Sequence, residues 1–146
     1  MEAHDRWLAW SGAVFGRAEG ALGWAAYHRA AGDPEQARQH AGQARAYATE
    51  PRQPLALLAA HRCLGELATA AGDHAEAATQ FDAALTLAVA CAAPYERALT
   101  LLALAELRLL SGDTPAAQTL LDEARALLEP LAARPALARA DASPCG

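Results

Sequence analysis

The chain has 146 residues, a formal net charge of −5 and an isoelectric point near 5.5; hydrophobic residues make up 53% of it and aromatic residues only 5%, because Ala supplies most of the apolar fraction. No basic block exists to grip nucleic acid or an anionic membrane surface, and no apolar run approaches the ~18 residues that a bilayer span needs. Ile is absent and Val scarce, which argues against a β fold.

In chain order, the first segment carries Trp7, Leu8, Trp10 and Phe15 among Gly12, Gly16, Gly20 and Gly23. It reads as a long helix that is irregular or broken, the remnant of a preceding repeat. Beyond it, Ala31-Gly32-Asp33, Ala71-Gly72-Asp73 and Ser111-Gly112-Asp113 recur at a spacing of 40 residues. That period divides the chain into three rows, 14–53, 54–93 and 94–133. Several columns agree between rows: Ala37, Ala77 and Ala117; Ala44, Ala84 and Ala124; Trp24, Leu64 and Leu104; and Ala25, Gly65 and Ala105. Such self-similarity is the mark of a repeat architecture.

Each row reads as helix, tight turn, helix. In the second, Leu57, Leu58, His61, Leu64, Gly65 and Ala68 recur at three- and four-residue spacing, an amphipathic helix. Gly72 is its stop, since Gly takes positive φ cheaply. Asp73 is the next N-cap, and Glu76 three residues on predicts a capping box. The first row repeats this with Asp33, Pro34 at the first helical position and Gln36; the third keeps Asp113 but has Ala116. Joints bearing Pro51 and Pro54, Pro94, and Pro130 and Pro135 separate the rows. The small column at Ala25, Gly65 and Ala105 lies where two antiparallel helices cross closely, opposite Ala77 and its equivalents. A larger side chain there is expected to cost about 1–3 kcal/mol by overpacking. One pair cannot bury both of its faces, so stacking of pairs is expected.

These columns resemble the tetratricopeptide repeat, with its large residue, small residue, Gly near the turn, then Ala, a large residue and Ala. The second row carries the pattern as Leu64-Gly65, Gly72, Ala77, Phe81 and Ala84; the third as Leu104-Ala105, Gly112, Ala117, Leu121 and Ala124; the first, degenerate, as Trp24-Ala25, Gly32, Ala37, Ala41 and Ala44. The aromatic usual before the turn is replaced by His28, Ala68 and Arg108, and the repeat is about six residues longer than the standard 34. The longer, Ala-, Leu- and Arg-rich form is similar to the helical arrays of bacterial MalT-like signalling ATPases with a LuxR-type DNA-binding domain, and Arg134–Ala142 resembles the stretch ahead of that domain. The phosphate-binding loop and DNA-binding helices of those regulators are not here, and the chain has no Lys, so ATP and DNA binding do not carry over.

The resemblance implies an all-α, TPR-like α-solenoid of about three helix pairs, with 134–146 as a capping segment or tail. It also implies that the first helix of each pair lines a concave, partner-binding face. The lining positions are Glu19, Leu22, Ala26, Arg29 and Ala30; then Ala59, Arg62, Glu66, Thr69 and Ala70; then Leu99, Leu102, Glu106, Leu109 and Leu110. Arg29 and Arg62 either meet a partner's carboxylate or pair with Glu66 or Glu19. The four Leu need cover from a folded-back tail or another chain.

Chemistry is sparse. His61 and Cys63 sit at i and i+2, point apart on a helix and make a poor metal pair; His28 and Arg29 suit a helix C-terminus; His74 falls in a solvated turn. No catalytic residues, metal or cofactor are expected. The start, MEAHDRW, lacks the pattern of a signal peptide, and Cys63, Cys91 and Cys145 are too scattered for a disulfide framework, so a cytoplasmic location is expected. Cys145-Gly146 reads as the end of an excised piece. The expected function is a protein-protein interaction scaffold within a bacterial transcriptional or signal-transduction regulator. The partner would be a protein, a peptide or a neighbouring domain, with no direct contact to nucleic acid or membrane. A self-associating module that dimerises through its exposed ends and a small-ligand sensor are the alternatives.

Overall fold

The computed structural model describes residues 2–131, with side chains from residue 16 onward. The expected capping segment at 134–146 and the side chains of Trp7, Leu8, Trp10 and Phe15 lie outside what is described. The described residues form six α-helices and no strand: α1 (Glu2–Ala30), α2 (Pro34–Thr49), α3 (Pro54–Ala70), α4 (His74–Ala90), α5 (Pro94–Leu110) and α6 (Thr114–Leu128), followed by a 3-10 turn at Glu129–Leu131. None of these helices is long and apolar enough to cross a membrane.

Four of the five connections are three-residue reversals whose hydrogen bonds repeat; α2 and α3 are joined by four residues, where Gln53 N–H donates to the Ala48 carbonyl at 2.7 Å. After α3, Ala71 N–H donates to Leu67 O (3.0 Å), Gly72 N–H to Thr69 O (3.1 Å) and Asp73 N–H to Ala68 O (2.9 Å). This is a Schellman closure, which requires a left-handed residue just past the helix. Gly32, Gly72 and Gly112 supply it at φ of 81°, 81° and 80°. Asp73 then begins α4: its carboxylate accepts from Glu76 N–H at 3.2 Å, and its carbonyl from Ala77 N–H at 3.0 Å. Asp33 and Asp113 do the same for α2 and α6.

The capping box is not closed. Glu76 instead accepts a hydrogen bond from Gln80 Nε2 at 2.7 Å. The reason is local: the Asp73 N–H that a box would use is already committed to the Ala68 carbonyl.

The α4–α5 reversal is the same device, carried by different residues. Cys91, Ala92 and Ala93 N–H donate to Leu87, Val89 and Ala88 carbonyls, and Ala92 takes the left-handed position at φ 50°. Reversals therefore fall every 20 residues, and the 40-residue period is two helices of nearly equal length. Pro54 and Pro94 are the first residues of α3 and α5, where a missing N–H costs nothing.

Consecutive helices pack most closely within the pairs α1–α2, α3–α4 and α5–α6, then between pairs at α2–α3 and α4–α5; α3 also touches both α1 and α5. The close crossing within each pair is a matched column. Gly65 lies against Phe81, where a Cβ would sit 2.5 Å from the ring. At the equivalent positions Ala105 meets Leu121 in one cluster, and Ala25 meets Ala41 in another. The smallest residue, Gly, stands against the largest, Phe, and Ala stands against Leu and Ala. The core also changes along the chain, from Ala18, Ala25, Ala37, Ala41 and Ala44 in the first pair to Leu101, Leu102, Leu121 and Leu128 in the third.

One expectation is corrected. α1 is continuous for 29 residues, not broken at its glycines. Each helical Gly costs about 1 kcal/mol relative to Ala, but a kink generally needs Pro or an inserted group, and no Pro precedes Pro34.

Two substitutions test this account. Ala92→Gly relieves a left-handed Ala and is expected to raise stability by about 0.5–1 kcal/mol, read from the urea midpoint at unchanged slope. Gly65→Ala is expected to lose about 1–3 kcal/mol, and adding Phe81→Leu should recover most of it, as Ala105 with Leu121 already does. Independent, additive losses in a double-mutant cycle would refute the matched column.

Candidate functional site: the face of the first helices

Contact of α3 with both α1 and α5 puts the first helices of the three pairs side by side. Helical spacing puts Arg62 and Glu66 on one side of α3, one turn apart. From there a chain of alternating charge crosses all three helices. Arg29 Nη1 of α1 lies 2.5 Å from Glu66 Oε2; Arg62 Nε lies 3.9 Å from Glu66 Oε1; and Arg62 Nη1 reaches Glu96 Oε2 of α5 at 2.5 Å. The Arg29 side chain is 47% exposed, whereas Arg62 is only 18% exposed. The Arg29–Glu66 pair is therefore the weaker contributor, since exposed pairs supply at most ~1 kcal/mol. The hydrogen bond to Glu66 raises the pKa of the Arg29 guanidinium, against a smaller opposing effect of burial.

Beside this chain lies a cavity of about 100 Å³ lined by Arg29, Glu66, Thr69, Ala70, Phe81, Ala103, Glu106 and Leu110. Four of the expected site residues, Arg29, Glu66, Thr69 and Glu106, thus meet at one place. Thr69 Oγ1 donates to the Gly65 carbonyl at 2.8 Å, which turns its hydroxyl back toward α3. Glu19 is exposed on α1, one end of the face.

The apolar end of the face differs from expectation. Leu102 is buried to 3% with Ala98, Leu101, Leu121 and Leu128, and Leu99 and Leu109 pack against that same cluster. α6 supplies most of the cover that these Leu need, so Leu102 offers no side chain to a partner. Leu110 alone of the four is largely exposed, at 61%.

Sequence reasoning missed Glu96, which holds Arg62. Glu96 lies 34 residues from Arg62, outside the 37-residue spacing that two other cross-repeat pairs share. Arg29–Glu66 and His74–Ser111 are both separated by 37 residues, three short of the repeat, which is one helical step back on the neighbouring pair.

His74 and His61 are held in structural contacts. His74 is not loose in a turn: as the first residue of α4, its Nδ1 lies 3.1 Å from Ser111 Oγ. His61 Nδ1 lies 2.7 Å from Gln80 Oε1, while Gln80 Nε2 donates to Glu76. The carboxylate of Glu76 demands the amide's donor end, so the carbonyl end faces His61 and Nδ1–H is the donor. Arg62 and Glu66 face the ion chain, whereas Cys63 packs beside Ala25, Ala37, Ala41 and Leu67. Among the described residues no group of three His, Cys, Asp or Glu is placed to hold a metal ion.

Burial pushes the Cys63 thiol above its usual range, and the charge of Glu66 adds to the effect. A raised pKa leaves less thiolate at any given pH, and thiolate is the reactive form. In a chain with Cys91 and Cys145 replaced by Ser, alkylation of Cys63 is expected to be slower than in the urea-unfolded chain, with its pH profile displaced upward. Equal native and unfolded profiles would contradict the burial.

A scan against protein-family models matches none to this sequence, and no curated protein is detectably similar to it.

Proposed function

We propose that this chain is a tetratricopeptide-like α-solenoid that binds a segment of another protein along the face of α1, α3 and α5, with no covalent step. The observation that carries this reading is the convergence of Arg29, Glu66, Thr69 and Glu106 around one cavity on three helices from three different pairs. A continuous face assembled from successive repeats is how stacked helix pairs create an extended binding surface.

The charge of the face narrows the partner. Arg29 and Arg62 stand against Glu19, Glu66, Glu96 and Glu106, so acidic groups are in excess and each Arg has a carboxylate partner. That arrangement suits a partner segment bearing Lys or Arg, with association that weakens as salt rises. A basic segment would compete for Glu66 and Glu96 and add a cation to a face already ordered by its own pairs. The setting we infer is a bacterial signal-transduction or transcriptional regulator in the cytoplasm, on the strength of the repeat and tail resemblance alone.

A photoreactive residue at Ala70, which lines the cavity, is expected to give a discrete adduct in the source cells. The same residue at Ala46, exposed on α2, should not. Combined Arg62→Ala and Glu66→Ala should abolish the Ala70 adduct. Identical adducts from both positions, or an adduct insensitive to the double substitution, would sink the assignment. An immunoblot of native size separates a free-standing adaptor near 15.2 kDa from the repeat region of a larger regulator.

A further inference from the structure

Where α2 meets α3 and the start of α4, a cavity of about 340 Å³ is lined by Arg38, Leu64, Ala68, Ala71, Asp73 and Glu76. None of these residues lines the smaller cavity beside Arg29 and Glu66. Its volume falls within the ~300–1,000 Å³ typical of small-molecule sites.

The repeat shows why the chain leaves room here. The next junction, between α4 and α5, is closed by residues that the first one lacks. There Ala78 packs against the cluster of Ala103, Leu104 and Leu107. His74 Nδ1 lies 3.1 Å from Ser111 Oγ, which ties the start of α4 to the residue that follows α5. Forty residues earlier, the counterparts of Ala78, His74 and Ser111 are Arg38, Pro34 and Ala71. Pro and Ala side chains form no hydrogen bond, so the start of α2 is not tied to the end of α3 in this way. The effect shows on Leu64, which is half-buried where its counterpart Leu104 is only 6% exposed.

Three charged groups face this cavity without joining one another. Among the described residues the Arg38 guanidinium has neither an ion pair nor a hydrogen bond, so it does not reach across to Asp73 or Glu76. Asp73 spends Oδ1 on the Glu76 N–H, and Glu76 spends Oε1 on Gln80 Nε2. Their second oxygens accept no hydrogen bond from the described residues. A simple anion in the cavity would face two carboxylates, and a simple cation would face a guanidinium; a molecule carrying both charges meets each with its opposite.

We propose that this cavity binds a short zwitterion, a free α-amino acid or a dipeptide, with an apolar side chain. Its carboxylate pairs with Arg38, whose planar fork suits a bidentate contact. Its ammonium takes Asp73 Oδ2 and Glu76 Oε2, and its side chain lies on Leu64, Ala68 and Ala71. The ligand thereby links α2 to the start of α4, as His74 and Ser111 link the next junction. All three charged residues are exposed, so the affinity is modest, with a Kd on the order of 0.1–1 mM.

Two-dimensional NMR titration of the isotope-labelled intact chain with L-leucine and with leucyl-leucine tests the proposal and tells the two ligand sizes apart. At least one is expected to saturate, with amide shifts concentrated at Ala71 through Glu76. N-acetyl-leucine lacks the ammonium and leucinamide lacks the carboxylate, so each should bind about tenfold more weakly or worse. Arg38→Ala should weaken binding on the order of tenfold or more, and so should Asp73→Asn with Glu76→Gln. Asn keeps the N-cap and Gln keeps an acceptor for Gln80, so the start of α4 survives, which circular dichroism checks. Arg62→Ala with Glu66→Ala should leave the titration unchanged, which separates this site from the binding face proposed above. No saturable shift with either ligand, equal affinity for the blocked forms, or binding indifferent to Arg38→Ala would each overturn it.

Discussion

The arrangement depends on reversing the chain in three residues. A reversal that short leaves one residue to finish a helix and the same residue to start the next. Asp73 does both: its N–H closes α3 on the Ala68 carbonyl, and its carboxylate and carbonyl take the first N–H groups of α4. The residue before it must be left-handed, which is why Gly recurs and why Ala92 is strained at the one such position without Gly. The arrangement satisfies the orphan groups of both helix ends with backbone and one side chain. It also leaves no slack, so the two helices must cross closely.

Close crossing sets the packing. At Gly65 and Phe81 the two side chains divide a fixed space, and Ala105 with Leu121 and Ala25 with Ala41 divide it differently. The first pair, with small residues on both sides, buries less apolar surface for the same backbone and gains correspondingly less from water exclusion. The third pair is dense with Leu. That gradient places the better-buried core at α5–α6 and the sparser one at α1–α2, the end that also shows Trp24 and Tyr27 to solvent. Among the described residues the two outer helices thus differ in chemistry, α1 bearing Gly, Trp24 and Tyr27, and α6 bearing Gln118, Asp122 and Arg125 in mutual hydrogen bonds.

The charged face follows from the same geometry. With helix pairs repeating every 40 residues, a side chain one helical step back on the next pair lies beside its predecessor. Arg29 and Glu66 meet in this way, and Glu66 is shared with Arg62 one turn away. Glu96 completes the chain on α5. The ion pairs order the side chains around the cavity at little net gain in stability, because the groups remain partly in water. Their consequence is a face whose polar groups hold one another in position.

Much of this was legible in the sequence because it is local. The Gly-Asp recurrence, Pro at helix starts and the three- to four-residue spacing of apolar side chains located the helices and their reversals. Turn and cap chemistry involve residues close together in the chain, and they leave the same mark in each row. The small column at Ala25, Gly65 and Ala105 was legible for the same reason. What stayed hidden depended on register between pairs. Leu102 looked like a groove residue by spacing, but α6 crosses over it, and only the packed position of α6 decides that. Glu96 looked like an ordinary first-turn acid until α5 was set against α3. The continuity of α1 and the exposure of its Gly, Trp and Tyr side were likewise settled only once α2, α3 and α5 were in place to show what covers the equivalent faces. The sequence by itself determined where the chain turns and which residues must be small, because these are demands of backbone geometry. The tertiary structure decided which faces are buried between helices and which stay exposed, because that depends on distances between residues nearly a full repeat apart.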